Sequence, residues 1–125
     1  MTFKDLDLSN QLNYAIEDLG FENPTPIQEQ AFSIVRSGKD VVGIAQTGTG
    51  KTFAYMMPIL RDLKFSKQQH PRILVLVPTR ELANQVCDEL TPAAKAVGRT
   101  TLAIYGGAPI EKQIETLKKG IDLVV

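Results

Sequence analysis

A chain of 125 residues suits one small domain, which at this size buries roughly two thirds of the surface its unfolded form exposes. Lys and Arg together number 14, as do Asp and Glu, which excludes a long-range positive field drawing the chain onto nucleic acid; any such contact must be local. The apolar runs fall far short of the roughly twenty residues needed to cross a bilayer. The opening Met1-Thr2-Phe3-Lys4-Asp5 lacks a secretory pattern, and the single cysteine, Cys87, allows no internal disulfide. A soluble cytoplasmic protein is the expectation.

In chain order, Ser9 precedes an apolar stripe of Leu12, Ile16 and Leu19, and Gly20 follows it, which predicts a capped amphipathic helix. A second helix is predicted from Thr25 as cap and Pro26 in its first turn, with Ile27, Ala31, Ile34 and Val35 on one face and Gly38 at its end. From Val41 to Ala45 a short apolar run predicts a strand, followed by a Gly/Thr loop and a helix from about Gly50. The unit recurs as a strand over Ile73 to Val77 with a helix from Thr79, and as a strand over Thr101 to Tyr105 with a helix from about Pro109 to Lys119. Ile121 to Val125 begins a further round. Pro58 and Pro92 interrupt helical patterns and should kink or end them. Cys87 falls on an apolar helix face as a small hydrophobe. Strands alternating with helices predict an α/β fold: a mainly parallel sheet covered by helices on both faces, with two helices ahead of it and ligands at the carboxyl ends of the strands.

Ala45-Gln46-Thr47-Gly48-Thr49-Gly50-Lys51-Thr52 lies between a predicted strand and a predicted helix, the context a phosphate-binding loop requires. Glycines let consecutive N–H groups and the helix N-terminus wrap phosphate oxygens. Lys51 would reach the β and γ phosphates, and the Thr52 hydroxyl suits Mg²⁺, which prefers oxygen ligands. Ala45 stands where the stricter pattern has glycine, and the alternative is a Gly-rich turn with an exposed lysine.

Upstream, Gln28 offers one acceptor and two donors, matching the N6 amino group and N7 of adenine. Thr25-x-x-Gln28 also fits a capping box in which Gln28 only ties down its own helix. Phe21 can stack on a base or serve as a core aromatic. The stretch Gly20-Phe21-x-x-Pro24-Thr25-x-Ile27-Gln28 resembles the Q motif of DEAD-box RNA helicases, and the phosphate loop resembles that family's motif I, in the expected order. The resemblance implies that Gln28 reads adenine, Phe21 stacks on it, and Thr25 helps tie the motif to the loop. Phe3 is similar to the isolated upstream aromatic supporting this site, with hydrophobic packing as its other role. ATP with Mg²⁺ is the implied ligand, and Lys51 and Thr52 are the catalytic candidates.

Pro78-Thr79-Arg80-Glu81-Leu82-Ala83 reads on its own as a helix cap with an exposed first turn, and Gly106-Gly107 as an ordinary turn. The first is identical to motif Ia of the resembled family, and the second resembles its Gly-Gly motif. Pro78, Thr79, Arg80, Gly106 and Gly107 are thereby implied to contact RNA through its sugar-phosphate backbone, with little sequence preference. The resemblance runs from Phe3 to Val125, with a flavour similar to bacterial members acting in ribosome assembly and RNA turnover. It implies an incomplete RecA-like phosphate-loop domain over residues 1–125, with a Q-motif region over 1–28, ending before the family's acidic motif. No Asp-Glu-Ala-Asp occurs in the chain. The implied parent is an RNA-stimulated ATPase with a second RecA-like domain, and this piece alone is expected to be catalytically deficient. Two other classes fit single features: a non-enzymatic nucleotide- or RNA-binding fragment, and a DNA helicase or other phosphate-loop ATPase.

Overall fold

A computed structural model describes every residue except Thr47, Thr49, Phe65, Ser66 and Gln68. The described chain forms two compact units, Met1–Lys64 and Phe65–Val125. All five predicted helices are present.

In the first unit a short 3₁₀ turn, Phe3–Leu6, leads to α1, Asn10–Asp18. The Ser9 hydroxyl accepts the Leu12 N–H at 3.3 Å. Gly20, at φ +81°, closes α1: its own N–H bonds Glu17 O, and the Phe21 N–H bonds back to Ile16 O at 3.2 Å. Only glycine adopts that backbone without strain, so Gly20 sets where Phe21 lies. α2, Pro26–Arg36, starts on Pro26 as predicted. Its buried face runs through Gln28, Ala31 and Phe32, while Ile34, read from spacing as part of that face, is 44% exposed. α3, Lys51–Asp62, packs along α2 and buries Phe53, Ala54, Met56, Met57 and Leu60. Arg36 Nε donates to Asp62 Oδ2 at 3.0 Å and Arg61 Nε to Asp7 O at 2.7 Å, fastening the N-terminal turn to the far ends of both helices.

The predicted strand Val41 to Ala45 is not a strand. No ladder is formed by residues 39–46, and Val42 and Ile44 are 89% and 90% exposed. A strand exists by pairing, and the described residues of this unit offer no other extended segment to pair with. Neither proline ends its helix: α3 continues past Pro58, and α4 past Pro92. Pro58 is fully buried, so apolar packing around it offsets the backbone hydrogen bond it cannot make.

The second unit holds β1, Ile73–Leu74, β2, Thr101–Leu102, and β3, Leu123–Val124, in the order β1-β3-β2, all parallel. Leu123 pairs with Ile73 on one side and Thr101 on the other. β1 and β2 are shorter than predicted because β3 supplies few partners: hydrogen bonds extend only to Val75 N–H on Val124 O and Ile104 N–H on Val125 O. Leu76, beyond that reach, is 85% exposed. α4, Arg80–Ala96, buries Ala83, Val86, Leu90, Ala93 and Ala94 beside β2, whereas α5, Ile110–Lys118, buries none of its residues. Cys87 is only half-buried on α4.

A polar cluster ties the N-terminal ends of the strands together. Asp122 accepts from Arg72 Nη2 at 3.2 Å and from the Thr100 N–H and hydroxyl at 3.0 and 3.2 Å. Burial pushes the Asp122 carboxyl up, but the Thr100 N–H, the Arg72 guanidinium and the Thr100 hydroxyl together hold it below its ordinary value of 3.8. A carboxyl depressed by folding adds stability that is complete above the ordinary value and disappears as pH falls through the folded one. The urea midpoint should therefore decline between about pH 5 and about pH 3, and Asp122→Asn should flatten that decline while lowering the midpoint at neutral pH. Identical pH profiles for the two proteins would remove this role from Asp122.

Candidate nucleotide and RNA-backbone sites

The first unit gathers the phosphate loop and the adenine candidates. Gly48 and Gly50 take φ +82° and +81°, and Gly50 forms the N-cap of α3. Ser9 and Thr79 close their helices with a hydroxyl, but α3 has no side-chain cap hydrogen bond. A glycine cap leaves the start of α3 without a side chain over it, the arrangement in which a helix N-terminus can meet an anion. The Lys51 ammonium lies across the loop and donates to Ala45 O at 2.6 Å. Lys51, Gln46 and Gly48 are exposed, and Ala45, Gly50 and Thr52 half-buried. Thr47 and Thr49 lie outside the described residues.

Gln28 is the one buried polar side chain among the described residues, at 4% exposure. Its Oε1 accepts the Thr25 N–H at 3.0 Å and its Nε2 donates to Gly50 O at 3.1 Å. One partner is a donor and the other an acceptor, so the carboxamide can lie only one way round. The capping-box reading therefore holds for the contact from Gln28 back to Thr25, and the same amide also grips the closing glycine of the phosphate loop. Each of its two polar atoms has spent one hydrogen-bonding position and keeps one, the acceptor-plus-donor pair that an adenine edge needs. Thr25 Oγ1 is buried with no partner among the described residues. A Cβ built on Gly50 would run into Gln28 Nε2 and lie 3.7 Å from Thr25 Cγ2, so Thr25 and Gln28 both stand against the loop.

Phe21 is 42% exposed and meets the buried Phe53 edge to face, centroids 5.6 Å apart. One part of its ring is anchored to α3 and the rest is free for stacking. Phe3 is buried and with Phe21 lines a cavity of about 400 Å³. Phe53 was missed by sequence reasoning, although an apolar residue directly after Lys51-Thr52 on a predicted helix was a usable signal.

The second unit brings together every residue singled out for RNA. Pro78, Thr79, Arg80 and Gly106 line one cavity of about 460 Å³ at the carboxyl ends of β1 and β2. A Cβ on Gly107 would lie 3.8 Å from Arg80 Nη1. Thr79 does cap α4, its hydroxyl accepting the Leu82 N–H at 3.1 Å. Arg80 is exposed and sits over the Tyr105 ring, 5.0 Å from its centroid, a cation–π contact that aims the guanidinium. Tyr105 was missed; its signal was an aromatic immediately before Gly106-Gly107.

The model of the DEAD/DEAH box helicase family matches residues 25–125, and the chain belongs to that family. It is 44% identical over 114 residues to the Pre-mRNA-processing ATP-dependent RNA helicase PRP5 of Mycosarcoma maydis, covering 88% of this chain and 10% of that protein. It is 42% identical to the DEAD-box ATP-dependent RNA helicase 45 of Oryza sativa subsp. japonica, covering 99% and 14%. Among solved structures, the RNA-helicase Prp28 from Chaetomium thermophilum bound to ADP superposes with a TM-score of 0.87 at 34% identity, covering 98% of this chain and 31% of that one. A DEAD box protein from Methanococcus jannaschii gives 0.86 at 34% identity, covering 100% and 34%. The fold is therefore that of the N-terminal RecA-like region of a DEAD-box helicase. The chain spans about a tenth of the length of these curated relatives and about a third of the solved chains. The bacterial flavour read from the sequence gains no support from these fungal and rice relatives.

Proposed function

We propose that this chain is the ATP-binding portion of an ATP-dependent RNA helicase that locally unwinds or remodels RNA duplexes. The observation carrying the reading is the Gln28 carboxamide, which is joined to Gly50 O of the phosphate loop and keeps one donor and one acceptor in reserve. It supports adenine recognition and phosphate binding as a single site. Phe21 would stack on the base. The uncapped start of α3, with Lys51 turned from Ala45 O toward the ligand, would hold the β and γ phosphates. The Thr52 hydroxyl would help hold a Mg²⁺, and the chemistry such an ion would supply there is neutralisation of phosphate charge.

Pro78, Thr79, Arg80, Gly106 and Gly107 would bear on an RNA backbone, since exposed glycine backbone and a guanidinium recognise phosphate and sugar, not base edges. The residues present bind and orient. Positioning of an attacking water is the family role of the Asp-Glu-Ala-Asp segment, which the sequence lacks, so the 125-residue chain alone should turn over little ATP. A cytoplasmic location is proposed alongside, on the single Cys87 that leaves no internal disulfide for an oxidising compartment to form.

The test uses the complete protein. RNA should stimulate hydrolysis of ATP far more than of GTP and more than DNA does, and Gln28→Ala should weaken ATP while leaving GTP little changed. Equal use of both purines, or indifference to RNA, would reject the reading.

A further inference from the structure

The loop from Tyr105 to Ala108 connects β2 to α5 and carries Gly106 and Gly107, both exposed. Two adjacent glycines give a chain its greatest backbone freedom, so such a loop holds a fixed path only if something outside it supplies hydrogen bonds. Gln113, on the first turns of α5, supplies them. Its Oε1 accepts the Tyr105 N–H at 3.1 Å, and its Nε2 donates to Tyr105 O at 3.3 Å and to Ala108 O at 3.5 Å. The carboxamide thereby acts on Tyr105 as a neighbouring strand would, exchanging both a donor and an acceptor, and it closes the loop from both ends. The Tyr105 ring in turn lies under the Arg80 guanidinium.

We propose that Gln113 is a positioning residue for the RNA-backbone site: it fixes Tyr105 and the Gly106-Gly107 loop, and through the Tyr105 ring it sets the place of Arg80. This rests on the reading of Arg80 and the paired glycines as RNA contacts. A purely structural role for Gln113 is disfavoured by its element, because α5 buries no residue and the core of this unit is built from α4 and β3. Removing the carboxamide should therefore loosen the loop without unfolding the domain.

The experiment measures affinity of the complete protein for a single-stranded uridine oligomer by fluorescence anisotropy, across a salt series, with a non-hydrolysable ATP analogue present. The variants are Gln113→Met, which keeps the side chain's length and loses its hydrogen bonds, Arg80→Ala, and the two combined. Each single change should weaken RNA binding about tenfold and reduce the slope of log affinity against log salt by about 0.7, the loss of one phosphate contact. The double variant should be no weaker than Arg80→Ala alone within about twofold, since both changes remove the same contact. Affinity for ATP without RNA should be unchanged. Tyr105→Leu keeps the backbone bonds to Gln113 but removes the ring, and it should also match Arg80→Ala; it decides the matter if Gln113→Met fails to fold. Full additivity with Arg80→Ala, or RNA binding by Gln113→Met equal to the parent's, would overturn the proposal while leaving the RNA reading in place. Failure of the unmodified protein to bind the oligomer would overturn both.

Discussion

Lys51→Ala is expected to lower affinity for ATP at least about 100-fold, because hydrogen bonds to charged groups contribute about 1.5–3 kcal/mol each and this ammonium is proposed to serve two phosphates. The urea midpoint should scarcely move. Lys51 is exposed, and the contact it loses is a hydrogen bond to Ala45 O on the surface. Lys51→Arg should not restore binding, since a planar, forked guanidinium does not replace a compact ammonium as a point charge on phosphate. Calorimetric titration with ATP and magnesium checks both variants, and parental affinity in Lys51→Ala would end the assignment of a phosphate loop.

Gly50→Ala should be the most damaging small substitution in the first unit. At φ +81° a side chain costs about 1–2 kcal/mol in backbone strain alone. The added Cβ would also collide with Gln28 Nε2 and sit 3.3 Å from Gln28 Cδ. A glutamine end can usually swing aside, but this one is held by Thr25 N–H and Gly50 O, so yielding breaks both bonds at about 1 kcal/mol each. A total loss of about 3–4 kcal/mol is expected, together with loss of preference for ATP over GTP, because the displaced carboxamide would no longer face the proposed purine. Urea denaturation of Gly50→Ala, Gln28→Ala and the double variant checks the mechanism. With Gln28 shortened the collision is gone, so Gly50→Ala should cost less in that background. Strictly additive losses would show that the two residues do not press on one another.

Helix starts were legible because their causes are local. Ser9, Thr79 and Pro26 act within a few residues of themselves, and Gly20 ends α1 by its own backbone conformation. Strands were less so. Val41 to Ala45 has the composition of a buried strand, but pairing depends on residues remote in sequence, and composition carries no record of whether a partner is present. The same non-locality shortened β1 and β2. At the sites, the glycine and lysine pattern of the phosphate loop was readable because the need for close backbone approach leaves a mark in residue type. Gln113 left none: on the polar side of an amphipathic helix it looks like any solvated glutamine, and only the return of the chain to Tyr105 gives it a partner. Gln28 shows an intermediate case, where the short-range bond to Thr25 was legible and the bond to Gly50, 22 residues away, was not.

If the proposed nucleotide site holds, the bond between Gln28 and Gly50 O would make the base end and the phosphate end of the ligand thermodynamically interdependent. A purine that steadies the carboxamide also steadies the glycine it holds, which lowers the ordering cost left for a phosphate chain, and linkage makes the effect equal in the opposite direction. Separate halves of the ligand would then bind with positive cooperativity, and an intact adenine nucleotide would outbid either half by more than the sum of its contacts.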